Sequence, residues 1–112
     1  MSFTSWVASC FSHRGKSLSL YRSGMVKANT QNYDGAIADY SAAIQLPTIP
    51  ADVKAMALYN RALAYSAVQD DVRAAEDLAA VLGMPGLPDN IRTAAEQRRE
   101  RIRRRSEKTD RP

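Results

Sequence analysis

The chain repeats its own sequence at a fixed offset of 38 residues. A period between about 20 and 50 residues is typical of stacked structural units, none of which can bury its apolar face alone. The sequence therefore predicts a repeat architecture before any other motif is considered. The identical pairs are Leu20 and Leu58, Tyr21 and Tyr59, Ala36 and Ala74, Asp39 and Asp77, and Pro47 and Pro85.

Within each repeat, the apolar residues follow the three- and four-residue steps of a helix. In the first repeat this pattern stops at residues 32–35, resumes from Ala36 to Ile44 and ends at Pro47. The second repeat copies the design, with a break at residues 69–71. We therefore predict an all-α fold of antiparallel helical hairpins, stacked as a short α-solenoid.

The offset continues into a third unit and then decays. Ala62 corresponds to Glu100 and Tyr65 to Arg103, so the positions that would receive another helix are charged. Repeat arrays need such polar ends, and we predict a capping helix. The predicted parts are a flexible N-terminal tail at 1–16, hairpin 1 at about 17–47, hairpin 2 at about 50–84, the capping helix at about 88–105 and a basic C-terminal tail at 106–112.

The order of residue sizes along each hairpin resembles the tetratricopeptide repeat (TPR) family. The chain departs from that pattern at Lys27 and Leu78, where an aromatic residue is missing, and its period exceeds the usual value of about 34 residues. The resemblance covers about residues 17–86. It implies a right-handed stack of two hairpins closed by the capping helix. The matching residues are Leu20, Gly24, Ala36, Tyr40 and Pro47, then Leu58, Ala62, Tyr65, Ala74, Leu78 and Pro85.

The resemblance also implies a binding surface, because first helices of successive TPR hairpins line a concave groove for an extended peptide or a partner helix. We accordingly expect a protein–protein interaction module, an adaptor or scaffold. An alternative is that Tyr21 and Tyr59 only pack between neighbouring helices. The expected partner-binding residues are Tyr21, Met25, Tyr59, Asn60, Leu63, Arg98 and Arg101, with Ser66 and Gln97 beside them.

A carboxylate clamp, with which some TPR proteins hold a partner's C terminus, is not predicted. It needs two lysines, two asparagines and an arginine, and only Asn60 and Arg98 match. The other three positions hold Tyr21, Met25 and Ala94. We therefore expect a mixed apolar groove with a basic rim, for a protein or peptide partner. Self-association is a further hypothesis, because a stack of two hairpins is short.

An arginine-rich run at residues 98–105 offers an alternative function, the binding of nucleic acid or of an acidic partner. No aromatic residue is interleaved with the arginines for base stacking, and acidic residues are interspersed. On a helix, Glu96 would pair with Arg99, and Glu100 with Arg103 and Arg104. These features favour a solvated capping helix and argue against nucleic acid.

Neither catalysis nor a cofactor is predicted. The only histidine, His13, and the only cysteine, Cys10, lie in the predicted tail without a third group to orient them, and two ligands are too few for structural zinc. Apolar stretches are interrupted before the roughly 18 residues that a membrane-spanning helix needs. We predict a cytoplasmic protein. The alternatives are a lipoprotein anchored at Cys10, since residues 7–10 resemble a cleavage box, and an organelle presequence.

Overall fold

The computed structural model describes the backbone of residues 3–110 and the side chains of residues 14–109. In this range all regular structure is helical, which confirms the all-α prediction. Consecutive helices pack against each other, and α1 also packs against α3. The helices are α1 (Phe3–Asn29), α2 (Tyr33–Ile44), α3 (Ala51–Ala67), α4 (Asp71–Leu82) and α5 (Asp89–Asp110).

The turns between α1 and α2 and between α3 and α4 are built in the same way. Gln31 and Gln69, which are 38 residues apart, both adopt the left-handed backbone conformation, with φ of 65° and 64°. The next residues, Asn32 and Asp70, cap the following helix, and each side chain accepts a hydrogen bond from the backbone N–H three residues on. The repeat is therefore conserved in turn geometry as well as in helix pattern.

The apolar core lies between the helices as two clusters of buried side chains. One joins α1, α2 and α3, and the other joins α3, α4 and α5. Ile44 packs against both. Because α3 contributes to both clusters, it links the two halves of the molecule. The first cluster contains Tyr21, Ala36, Tyr40, Val53 and Ala57, and the second contains Ala55, Leu58, Ala62, Ala74, Leu78, Val81, Leu87, Ala95 and Ile102.

The first helix starts earlier than the sequence predicts. The boundary expected near residue 17 lies inside α1, and the helix includes most of the segment assigned to a tail. Arg14 already contacts the body of the molecule, since its Nη2 lies 3.0 Å from Oδ2 of Asp52, and Ser17 is fully buried. The repeat could not reveal this, because Arg14 corresponds to Asp52, its ion-pair partner. Cys10, on which the lipoprotein alternative depends, lies outside the residues whose side chains are described.

The last helix also extends further than predicted. α5 continues to Asp110, so the predicted C-terminal tail at 106–112 begins within it. Arg103 pairs with Glu107 one turn ahead, and the hydroxyl of Thr109 donates to the carbonyl of Arg105 at 3.0 Å. Such pairs stabilise a helix that few apolar contacts hold. α3 begins directly after Pro50, where the extra residues of the repeat predict a long helix.

The two aspartates that the repeat places at one position both join the second helix of a hairpin to the first. The Ser23 hydroxyl donates to Asp39 at 2.5 Å, and Nζ of Lys27 lies 3.0 Å from the same carboxylate. In the second hairpin, Arg61 donates two hydrogen bonds to Asp77, at 2.8 and 2.7 Å. The repeated aspartate is therefore a structural anchor within each hairpin.

Candidate functional site

The candidate binding surface is formed by corresponding positions on α1, α3 and α5. Met25, Leu63 and Arg101 are separated by 38 residues each, as are Asn60 and Arg98. We call this the first-helix surface and define it by Met25, Met56, Asn60, Leu63, Arg98 and Arg101. The direct packing of α1 against α3 brings the first two helices of this set together.

Tyr21 and Asn60, both predicted to bind a partner, bind each other. Tyr21 is only 6% exposed, and its hydroxyl accepts a hydrogen bond from Nδ2 of Asn60 at 3.0 Å. Burial raises the pKa of Tyr21 above its usual range. The same Nδ2 donates to the carbonyl of Met56 at 2.9 Å, so both amide hydrogens are used and Asn60 keeps only its oxygen for a partner. Tyr21 therefore packs between helices, as the alternative prediction has it.

The apolar part of the first-helix surface contains two methionines. Met25 is 39% exposed and Met56 is 37% exposed, while Leu63 is partly buried. Tyr59 is also partly buried and packs against the second core cluster. Methionine is flexible and polarisable, so it adapts to differently shaped apolar partners. The sequence analysis did not select Met56, although it lies one helical turn before Asn60.

The two predicted arginines lie on α5. Arg98 is partly buried and Arg101 is exposed. Arg101 lines a shallow depression of about 490 Å³ on α5. The depression is of mixed charge and offers acceptors and donors to a polar ligand. Its other lining residues are Glu96, Gln97, Glu100 and Arg104.

Further along α5, three consecutive arginines are held in ion pairs. Arg103 and Arg104 both pair with Glu100, as the sequence predicts. Arg105 pairs with Asp71 at the start of α4 and donates to the Ser66 hydroxyl at 2.9 Å. These arginines meet carboxylates within the chain, which reduces the positive charge that a nucleic acid would meet. The predicted pair of Glu96 and Arg99 is not among the ion pairs of residues 14–109.

The pairing on α5 predicts an unusual titration. Hydrogen bonds from Arg103 and then Arg104 lower the pKa of Glu100 from 4.5 to about 2. Because the folded-state pKa lies below the unfolded one, this pairing stabilises the fold above pH 4.5 and is lost as the pH falls toward 2. We expect NMR titration of the Glu100 carboxyl carbon to give a pKa near 2. In a variant with Arg103→Gln and Arg104→Gln, the pKa should return toward 4.5, whereas a wild-type value near 4.5 would contradict the pairing.

Two other kinds of site were searched for among the described residues. No group of three or more histidine, cysteine, aspartate or glutamate side chains is placed to hold a metal ion. Within residues 3–110, no helix has the length and apolarity needed to cross a bilayer. Comparisons with protein-family models, curated proteins and solved structures found no match. Function must therefore be inferred from the chain's own surfaces.

Proposed function

We propose that this protein is a TPR-like interaction module, with two hairpins stacked in a right-handed array and closed by α5. It binds a segment of a partner protein on the first-helix surface. The 38-residue repeat, the shared turn geometry and the shared aspartate anchors support the proposal, because they make two equivalent hairpins out of α1–α4.

One observation carries the proposed binding site. Met25 and Met56 are exposed on neighbouring helices, although the same helices bury Tyr21 and Leu58 a turn or less away. Exposed large apolar residues that adjoin polar and cationic ones are typical of protein interaction surfaces. The methionines therefore provide a contact area for apolar side chains of a partner.

The polar residues around the methionines would orient that partner. Asn60 can accept a backbone N–H through its remaining oxygen. Arg98 and Arg101, on α5, can donate to carboxylates or carbonyl groups of the bound segment. The proposed partner is therefore a peptide or helix with apolar residues followed by acceptor groups. It binds at the exposed residues of the surface, while Tyr21 holds α1 against α3.

Site-specific photo-crosslinking tests this surface. We expect a photoreactive residue at position 25 or 56 to crosslink the same partner, and Leu63→Lys to abolish both crosslinks because it places a charge in the apolar contact. Ala42 and Ala79 are exposed on the second helices of the two hairpins and provide control positions. The proposal fails if the control positions give the same crosslinked species, or if Leu63→Lys leaves the crosslinks at 25 and 56 unchanged in a folded protein.

A further inference from the structure

A second groove lies between α4 and α5, away from the first-helix surface. It has a volume of about 710 Å³. Val72, which is 71% exposed, lies on its α4 side together with Ala75, and Ile102 of α5 adds a third apolar side chain. Its polar lining residues are Asp71, Arg99, Glu100, Arg103, Ser106 and Glu107.

The repeat identifies what this groove corresponds to. In the first hairpin, α1 receives α2 at residues 23, 24 and 27, since Ser23 and Lys27 bind Asp39 and Gly24 faces the ring of Tyr40. In the second hairpin, α3 receives α4 through Arg61, which is Ser23 advanced by 38 residues. This offset defines the receiving positions of the next first helix, α5.

On α5, the receiving positions are Arg99, Glu100 and Arg103. All three line the groove. The groove is therefore the place that the second helix of a third hairpin would occupy, between α5 and the preceding second helix, α4. Within residues 3–110, no helix fills it, because α5 is the last helix described.

The two existing hairpins show which chemistry this place selects. In both, the arriving helix presents an aspartate to the first receiving position, Asp39 to Ser23 and Asp77 to Arg61. At α5 this position is Arg99, which is exposed and takes part in none of the ion pairs found among residues 14–109. A guanidinium at the position that twice binds a carboxylate favours a carboxylate again.

Size selects the neighbouring residue of the occupant. Gly24 and Ala62 admit the large side chains of Tyr40 and Leu78, whereas Glu100 occupies the corresponding position on α5. An arriving helix must therefore be small at this point. Its apolar residues would lie instead over Val72 and Ala75.

We propose that the α4–α5 groove binds, in trans, an amphipathic helix of a partner protein that presents a carboxylate to Arg99. The helix adds to the end of the stack and completes the third hairpin. The charge of the groove argues against segments of a second copy of this chain. Residues 3–13 contain no acidic residue, and the aspartates of α2 and α4 are already held in their own hairpins.

A peptide based on α4 is a direct probe, because α4 is an arriving helix of this chain. The probe is a fluorescent peptide of residues 70–83 with Leu78→Ala, which provides the small residue opposite Glu100 and keeps Asp77. We expect saturable binding to the full chain by fluorescence anisotropy. Arg99→Glu should weaken it by about tenfold or more, which corresponds to about 1.4 kcal/mol. Arg98→Glu, one residue away on the same helix, should change it little.

A charge swap completes the test. The same peptide with Asp77→Lys should bind poorly to the wild type and regain affinity for the Arg99→Glu variant. The proposal is overturned if the first peptide does not bind the wild type, if Arg98→Glu and Arg99→Glu weaken it equally, or if the swap gives no recovery. It is also overturned if sedimentation shows self-association that Arg99→Glu abolishes, because the occupant would then be a second copy. Crosslinking at Met25 and Met56 is unaffected by these outcomes, so this proposal and the proposed function can fail separately.

Discussion

Asp77→Asn is expected to lower the free energy of unfolding by about 3 kcal/mol, because it leaves the charge of Arg61 partly buried without its counter-ion. The Asp77 side chain is 7% exposed and that of Arg61 is 19% exposed. Arg61 also donates to the Ser41 hydroxyl at 3.0 Å and lies 5.6 Å from the centre of the Tyr65 ring. It therefore links α2, α3 and α4, and urea denaturation followed by circular dichroism should report the loss.

Asp39→Asn is the matched control, because the repeat places it at the same position. We expect a loss of only about 1 kcal/mol. Lys27 is 40% exposed, so its charge stays hydrated when the carboxylate is removed, and the Ser23 hydroxyl can still donate to the asparagine oxygen. Equal losses in the two variants, or an Asp77→Asn variant as stable as the wild type, would contradict the anchoring role of the buried pair.

The sequence predicted the parts of this fold that depend on local periodicity. Helices α2, α3 and α4 follow from apolar spacing and from turn residues that recur 38 positions apart. The partner of Asp77 could not be predicted in this way. Arg61 corresponds to Ser23, and the two residues are chemically unlike, so the repeat gives no sign that both bind the same aspartate.

The binding surface was predictable only in part, for a similar reason. Register placed Tyr21 on the first-helix surface, but its burial depends on Asn60, one repeat away. At the other end of the stack, the charges of Glu100 and Arg103 predicted a solvated helix. The groove beside them also depends on Val72, whose exposure follows from how α4 packs against α5 rather than from any pattern along the chain.

Gly24→Ala is expected to destabilise the protein by about 2 kcal/mol, although alanine favours a helix over glycine by about 1 kcal/mol. A Cβ at position 24 would lie 2.6 Å from the Tyr40 ring, and that ring is only 1% exposed and cannot swing away. Gly15 in the same helix is the control, because a Cβ there meets nothing within 4 Å. Gly15→Ala should therefore stabilise by about 0.5 to 1 kcal/mol, and thermal denaturation should show shifts of opposite sign.

The second hairpin suggests how to relieve this clash. There, Ala62 and Leu78 occupy the positions of Gly24 and Tyr40, so a leucine at position 40 should accommodate an alanine at position 24. In a double-mutant cycle, we expect Gly24→Ala to cost at least about 1 kcal/mol less in a Tyr40→Leu background than in the wild type. Additive effects would show that the ring of Tyr40 does not exclude the side chain at position 24. A favourable coupling would show that glycine and tyrosine in the first hairpin are a matched pair, equivalent in packing to alanine and leucine in the second.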